Sequence, residues 1–326
     1  MKKCLIGLSI TLAVILFGFA IYMYVDHIIH TDDSPTITKD GKDINKSEYI
    51  YKDDLLELGY TIEEIKTIEN KTTSTDVKNF LLEKKYNNLI NFISSPYFKA
   101  KNIQRYEDYL SKNEDYSYEN VVLYVEVGLD KEFYTEITEI SNYNDLDAIV
   151  NKYYKLPSNF TPEDLVVVKK EYWGNNYEYK LREEAAEAFY KMADAAKEDG
   201  IVLKVVSAYR TESTQSSLFN NSVNVDGLEH ALIYSAKPGH SEHQLGLAVD
   251  INMASSKMHF ENTKEYEWLK ANSYKYGFVE RYPKGKEFIT GYGFEPWHYR
   301  YFGIELATNV YLDGSTYEEY IVKHSK

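Results

Sequence analysis

The amino-terminal segment is apolar without interruption, and this restricts the topology of everything that follows it. The 22 residues from Cys4 to Val25 carry no formal charge; two lysines precede them and Asp26 follows. As a helix with a rise of about 1.5 Å per residue, the run is about 33 Å long, which matches a hydrocarbon core of about 30 Å. Because the lysines favour a cytoplasmic amino terminus, we predict a transmembrane signal anchor over residues 1–25. It would contact the cytoplasmic membrane through residues 4–25 and leave the rest of the chain extracytoplasmic.

A cleaved signal peptide is the competing interpretation of this segment. Gly18 and Ala20 are small residues at a possible cleavage site. The apolar run nevertheless continues beyond them to Val25, further than the apolar region of a typical signal peptide. A retained anchor is therefore the favoured prediction.

Charge and cysteine content exclude two classes of protein. Asp and Glu number 51 against 37 Lys and Arg, so the net charge is −14 and the basic surface that drives binding to a phosphate backbone is missing. We therefore expect no nucleic acid partner. Cys4 is the one cysteine, which leaves no internal disulfide and no cysteine-rich zinc module. Any metal must be held by histidines and carboxylates.

Composition divides the chain behind the anchor into three parts. Residues 26–48 are polar and predict a tether. Residues 49–115 contain short helical patterns, at 55–68 and 76–94, and predict a small helical module. We interpret this module as a spacer, with binding of a wall polymer through its aromatic residues as the alternative. Residues 116–326 are predicted to form a larger second domain.

Helical and alternating periodicities in the larger domain predict an α+β fold. Apolar residues recur every three or four positions in some segments and alternate in others. The expected architecture is a small central antiparallel or mixed sheet flanked by helices, preceded by the helical module and the transmembrane helix. The predicted helices are 181–199, 211–219 and 264–276, and the predicted strands are 120–128, 201–207, 246–252, 278–281 and 297–302.

Strand periodicity places one carboxylate opposite the core. In KPGHSEHQLGLAVDIN, the last residues alternate Leu247, Val249 and Ile251 with Asp250 on the other face. Because the apolar face packs in the core, the side chain of Asp250 is fixed on a rigid element and points away from it.

Two histidines can approach the same cavity. His243 lies before the strand, and Gly246 allows the backbone to turn back. In FEPWHYRYFG, Pro296 disrupts the strand between Glu295 and His298, so both can face one side. Two imidazoles and one carboxylate are the ligand count of a catalytic zinc site, with one position left for water. An unligated carboxylate nearby can then serve as general base.

Spacing alone leaves alternatives open. Each histidine could be a hydrogen-bonded core or surface residue, and His240 could replace His243 as a ligand. Four aromatic residues are interpreted as core rather than pocket residues, with a pocket position as the alternative for the second of them: Trp268, Trp297, Tyr299 and Tyr301.

Three motifs, in this order, resemble one known family. The motifs are Ser207–Arg210 with Gln215, Ser241–Ile251 and Glu295–Arg300. They resemble the VanY-type D-alanyl-D-alanine carboxypeptidases, which are zinc peptidases of peptidoglycan. The resemblance covers about residues 150–305, the motif core of the domain at 116–326, and implies that this domain is catalytic. One departure is Ala208, where Gly is more often expected.

The resemblance implies a role for each matching residue. It implies one zinc ion (Zn²⁺) per chain with three ligands: His243, Asp250 and His298. Glu295 is implied as the base that deprotonates water, and His240 is then not a ligand. Arg210 is implied to hold the substrate carboxylate or to stabilise the oxyanion. Gln215 and Ser241 are expected to donate hydrogen bonds to the peptide, with cap or turn roles as alternatives.

The predicted membrane anchor and the predicted zinc site together indicate the function. The chain is expected to be a membrane-anchored extracytoplasmic zinc metallopeptidase, a D,D-carboxypeptidase that removes the C-terminal D-Ala from peptidoglycan stem peptides. With the same site, the alternatives are an L,D-carboxypeptidase acting on tetrapeptides or a stem-peptide endopeptidase. From other classes, the alternatives are a non-catalytic wall-binding or sensor module and a purely structural metal site.

Overall fold

The computed structural model describes residues 50–252 and 259–325. The predicted signal anchor at 1–25 and the predicted tether at 26–48 lie outside these residues. Among the described helices, none combines the length and the apolar character needed to cross a membrane. The described residues divide into two compact units, and the boundary lies between Lys85 and Tyr86.

The described part of the first unit is helical. Its helices are α1 (Lys52–Glu57), α2 (Ile62–Lys71) and α3 (Ser74–Asp76), the last continued by a π-helical turn at Val77–Leu81. The helix predicted at 55–68 is in fact two helices, because Gly59 adopts a φ of 89° between them and Thr61 forms a capping box with Glu64 that starts the second. The helix predicted at 76–94 is likewise interrupted, and its last part lies in the second unit.

The second unit begins with the helices α4 (Leu89–Phe92), α5 (Ile103–Lys112) and α6 (Tyr118–Val127). The strand predicted at 120–128 is wrong, since this segment is α6. Ser117 caps its start by accepting a hydrogen bond from the amide of Asn120, and Gly128 ends it with a φ of 105°. Because α6 packs against α5, the segment 86–115 belongs with the second unit rather than with a separate module at 49–115.

A four-stranded antiparallel sheet forms the centre of the second unit, in agreement with the predicted α+β fold. Its strands are β5 (Val205–Ser207), β6 (Ala248–Ile251), β7 (Phe278–Glu280) and β8 (His298–Tyr301), in the order β5-β6-β8-β7. Two smaller sheets pair β1 (Thr138–Glu139) with β2 (Tyr154–Lys155) in parallel and β3 (Leu165–Val167) with β4 (Lys180–Arg182) in antiparallel orientation. Each strand of the central sheet is shorter than predicted but lies within its predicted segment.

Helices flank the central sheet. They are α7 (Glu183–Glu198), α8 (Glu212–Asp226), α9 (Leu228–Tyr234), α10 (Lys264–Asn272), α11 (Glu287–Thr290), α12 (Ile304–Asp313) and α13 (Tyr317–His324). Single 3₁₀ turns occur at Ala100–Asn102, Lys170–Tyr172, Glu242–Leu245, Phe260–Asn262 and Ser273–Tyr276. The last of these explains why the helix predicted at 264–276 ends as an α-helix at Asn272.

The main core lies between α7 and the sheet. Leu247, Val249 and Ile251 are fully buried there, and Phe189 of α7 meets Phe278 edge to face at 6.4 Å. These contacts fix one face of β6. The opposite face is therefore held rigidly for whatever side chains it carries.

Candidate metal centre

Asp250 and His298 are opposite each other on neighbouring strands. The antiparallel register of β6 and β8 pairs these two residues directly, so their side chains leave the same face of the sheet. The Oδ1 atom of Asp250 lies 3.0 Å from Nδ1 of His298. The sheet itself thus brings together two of the predicted ligands, from segments far apart in sequence.

His243 reaches the same point from a 3₁₀ turn that ends at Gly246. Gly246 has a φ of 68°, which favours glycine, and a Cβ atom there would lie 2.9 Å from Cδ2 of Leu165. The Nδ1 atom of His243 lies 2.8 Å from the carbonyl oxygen of Ala208. Its Nε2 atom is consequently directed at Asp250, 3.4 Å from Oδ1.

These three side chains form a compact and buried cluster. One ligand atom from each of His243, Asp250 and His298 lies within 4.8 Å of the others, and their side chains are 3%, 8% and 4% exposed. Two imidazole nitrogens and a carboxylate oxygen are the donor set of a catalytic zinc site, so the residues present fit a divalent ion. His240 lies elsewhere, with its Nδ1 atom 2.7 Å from the carbonyl oxygen of Asn151.

The surroundings shift the pKa values of His243 and His298 in opposite directions. Burial and the positive charge of Arg210 lower the pKa of His243 to about 4. Burial alone would lower the pKa of His298 as well, but the neighbouring carboxylates of Asp250 and Glu242 outweigh burial and raise it to about 9. His243 is therefore neutral at pH 7 and offers a lone pair. A metal ion that binds His298 must displace a proton.

Glu295 lies beside the cluster. The amide of His298 donates to the carbonyl oxygen of Glu295 at 3.1 Å, and this turn leaves the two side chains adjacent, with Oε2 of Glu295 3.8 Å from Nδ1 of His298. Burial raises the pKa of Glu295 to about 7 despite the neighbouring histidine. A carboxyl group with such a pKa can accept and return a proton near neutral pH.

A cleft of about 280 Å³ opens over this cluster. Arg210, Gln215 and Ser241, the three predicted substrate contacts, all line it. Gln215 donates to the carbonyl oxygen of Ala236 at 2.8 Å. Its Oε1 atom and the Nε atom of Arg210 are buried and have no hydrogen-bond partner in the described ranges. Buried polar atoms without partners are rare, so both mark directions in which a bound molecule can be contacted.

The aromatic residues near the motifs pack in or against the core, and one of them also borders the cleft. All four predicted core residues lie in or against the core: Trp268, Trp297, Tyr299 and Tyr301. Trp297 also lines the cleft, so both interpretations of this residue hold.

Sequence reasoning missed two tyrosines and one glutamate that border the site. Tyr282 and Tyr292 line the cleft, and the ring of Tyr282 lies 4.9 Å from that of His298; no motif marked them. Glu242 also lines the cleft and is fully buried behind His298. Its position next to His243 in the sequence was an available signal.

Comparison with known proteins gives the family. The family model described as VanY, D-alanyl-D-alanine carboxypeptidase, matches residues 178–304. Over 216 residues the chain is 40% identical to YodJ of Bacillus subtilis (strain 168), a protein provisionally named a carboxypeptidase; the match covers 62% of this chain and 78% of YodJ. The chain belongs to the VanY D-alanyl-D-alanine carboxypeptidase family. The recognition of this family from three motifs is thereby confirmed.

Two further relatives of this VanY family member differ in their named activities. A D-alanyl-D-alanine carboxypeptidase of Enterococcus faecalis (strain ATCC 700802 / V583) is 44% identical over 137 residues, which cover 39% of this chain and 50% of that protein. The solved structure of the LdcB LD-carboxypeptidase, reported as revealing the molecular basis of peptidoglycan recognition, is 40% identical with a TM-score of 0.54 and covers 58% of this chain and 92% of that chain. The chain is therefore similar to carboxypeptidases of both kinds.

Proposed function

We propose that the protein is a zinc-dependent D,D-carboxypeptidase that removes the C-terminal D-Ala from peptidoglycan stem peptides. The observation that carries the proposal is the buried cluster of His243, Asp250 and His298, with its ligand atoms within 4.8 Å of one another, beside Glu295 in a cleft. Membership of the VanY family and the named activity of the enterococcal relative support the substrate class.

Zinc is the ion that the cluster fits best. Nε2 of His243, Nδ1 of His298 and a carboxylate oxygen of Asp250 would hold it, since these atoms already face one another. When bound there, zinc supplies a Lewis acid that polarises the scissile carbonyl and makes water more acidic. The remaining chemistry belongs to the side chains of the cleft.

Glu295 is the proposed proton carrier. Its carboxylate takes a proton from the attacking water and delivers it to the amine nitrogen of the departing D-Ala. The pKa of about 7 allows both halves of this transfer near neutral pH. Its place beside His298 keeps it within reach of a carbonyl that faces the cluster.

Arg210, Gln215 and Ser241 are proposed to bind the peptide. The Nε atom of Arg210, buried and unpartnered in the described part of the chain, is suited to the carboxylate at the end of the peptide. The free Oε1 atom of Gln215 accepts a hydrogen bond from an amide of the substrate. This role reverses the direction of the hydrogen bond that the sequence predicted for Gln215, because its Nε2 group is already engaged.

L,D-carboxypeptidase activity on tetrapeptides is the second candidate function, and the similarity to the LdcB LD-carboxypeptidase supports it. An endopeptidase with the same site is the third candidate. The test is to incubate the purified full-length protein with synthetic penta- and tetrapeptides, and with longer linked stems, and to identify products by mass while zinc content is measured. Loss of one D-Ala from the pentapeptide is the expected result. Cleavage of the tetrapeptide alone would assign the L,D activity.

The same assay separates the enzyme from the other classes. A wall-binding or sensor module would retain peptides without turnover, and a structural metal site would bind zinc without turnover. The signal anchor and the extracytoplasmic position remain part of the proposal and rest on the sequence of residues 1–25. Fractionation of cells with the full-length chain tests them, with recovery in the membrane fraction as the expected outcome.

A further inference from the structure

A buried carboxylate lies directly behind one of the metal ligands and has no part in the chemistry proposed above. Glu242 is fully buried, and its Oε2 atom lies 3.5 Å from Nε2 of His298. It occupies the first position of the 3₁₀ turn Glu242–Leu245, one residue before the ligand His243.

The two ring nitrogens of His298 face two different carboxylates. Nδ1 lies 3.0 Å from Oδ1 of Asp250, on the side of the cluster, and Nε2 points towards Glu242. Both Nε2 of His298 and Oε2 of Glu242 are buried, and neither has a hydrogen-bond partner among the residues that the structure describes. A neutral imidazole carries one hydrogen. If Nδ1 gives its lone pair to a metal, the hydrogen is on Nε2, where Glu242 is the acceptor at hand.

Glu242 is held in place from its other side. Its Oε1 atom accepts hydrogen bonds from Nε of Arg281 at 2.9 Å and from Nη1 of Arg300 at 3.1 Å. Arg281 is fixed in turn by two hydrogen bonds to Glu318, at 2.6 and 2.8 Å, and Arg300 by three backbone carbonyl groups. The two guanidinium groups engage one oxygen only. The other oxygen remains directed at His298.

We propose that Glu242 is a positioning residue, which accepts a hydrogen bond from the Nε2–H group of His298 and so fixes the tautomer and ring orientation in which Nδ1 is the metal ligand. This inference rests on the proposed zinc site. Histidine ligands commonly donate their second N–H group to a carboxylate, which orients the ring and makes it more basic. The turn Glu242–Leu245 then supplies one ligand, His243, and the support for another.

The first test reads the tautomer in the unaltered protein. The full-length chain, labelled with ¹⁵N in its eight histidines and loaded with zinc, is examined by long-range ¹H–¹⁵N correlation, with His298→Gln used to assign the signals. We expect metal-bound Nδ1 and a slowly exchanging proton on Nε2 of His298. Zinc bound through Nε2, or an Nε2 proton that exchanges as fast as that of an exposed histidine, would overturn the proposal.

The second test compares two buried glutamates that share a partner. Glu242→Gln and Glu318→Gln each remove a carboxylate that binds Arg281, so they disturb the same ion network, but Glu242 alone faces His298. Zinc affinity is measured by competition with a chelator, and thermal unfolding is measured alongside. We expect Glu242→Gln to weaken zinc binding about 10- to 100-fold and Glu318→Gln to change it less than the lower end of that range. Glutamine keeps an oxygen that can accept a hydrogen bond, so Glu242→Leu, which has none, is measured as well. Equal effects of Glu242→Gln and Glu318→Gln, or an unchanged zinc affinity of Glu242→Leu, would reject the positioning role.

The outcomes also separate this inference from the proposed function. If the unaltered protein binds zinc and cleaves peptides while either test fails, only the role of Glu242 is rejected. If the unaltered protein binds no zinc, the proposed metal centre falls and the role of Glu242 falls with it. Should Glu242→Gln not fold, the tautomer measurement on the unaltered chain still decides.

Discussion

Replacing Glu295 with Gln should move activity and stability in opposite directions. The side chain of Glu295 is 13% exposed, and burial raises its pKa from 4.5 to about 7 against the opposing His298. Between these two pH values the folded state binds more protons than the unfolded state, so the stability of the metal-free protein falls as the pH rises through this window and stays reduced above it. At about 1.4 kcal/mol per pKa unit, the ionised carboxylate costs about 3 kcal/mol above pH 7.

The side chain of glutamine does not ionise, so the cost of a buried charge disappears in Glu295→Gln. Metal-free Glu295→Gln should therefore resist urea better than the unaltered protein above pH 7, by up to about 3 kcal/mol, and the two should converge towards pH 4.5. Turnover of the peptide should fall about 10²- to 10⁴-fold, the usual contribution of a general base. Zinc should remain bound in equal amount, because Glu295 is not among the three proposed ligands.

The assay combines urea unfolding of metal-free protein at pH 5 and 8, zinc content, and product analysis by mass. Glu280→Gln is the matched control, since burial also raises the pKa of Glu280 but its carboxylate binds the hydroxyl of Tyr266 at 2.8 Å and does not line the cleft. Turnover by Glu280→Gln should fall by much less than about 100-fold, which is the smallest loss expected when a general base is removed. Full turnover by Glu295→Gln would remove Glu295 from proton transfer, and an unchanged stability at pH 8 would refute the burial argument.

Three further substitutions probe the ligand, the substrate contact and the turn. Asp250→Asn should weaken zinc binding, measured by chelator competition. The loss should exceed about 10- to 100-fold, which is typical when a residue that only supports a ligand is replaced. Zinc binding as tight as in the unaltered protein would contradict the role of Asp250 as a ligand. Arg210→Lys should raise KM about 10- to 100-fold, because one charge-assisted hydrogen bond contributes about 1.5–3 kcal/mol; an unchanged KM would place the substrate carboxylate elsewhere. Gly246→Ala should destabilise the protein by at least about 1–2 kcal/mol through its positive φ and its 2.9 Å approach to Leu165, and should weaken zinc binding through His243. If Gly246→Ala unfolds at the same urea concentration as the unaltered protein, the proposed backbone strain at this position is wrong.

The fold was predictable where local pattern and burial agree. The strand that carries Asp250 alternates strictly, because one face meets the core and the other does not. Helix α6 was mistaken for a strand because its buried residues include the β-branched Val121, Val122 and Val125, and burial on more than one side hides the helical period. Ser117 and Gly128 did mark its ends, so the capping signals were more informative than the β propensity.

The sequence was sufficient to predict which residues form the candidate site, but not the contacts that hold them in place. Short motifs identified the side chains that the structure brings together, since each motif covers a strand of the central sheet and the turn or helix beside it. The ion network behind His298 was not predictable, because Arg281 and Glu318 belong to no motif, and Arg281 meets Glu242 and Glu318 only through tertiary packing. Pairing over such sequence distances depends on the whole fold rather than on local sequence.

The three motifs are separate in sequence because they lie on three adjacent strands. In the order β5-β6-β8, the middle strand carries Asp250, which pairs with Ser207 on one side and with His298 on the other. Arg210 follows the first strand and Glu295 precedes the third, so the cleft forms where the outer motifs leave the sheet. A shift of one residue in the pairing of β6 with β8 would turn His298 to the other face and separate it from Asp250. The apolar alternation that fixes this register is therefore as much a condition of the site as the ligands themselves.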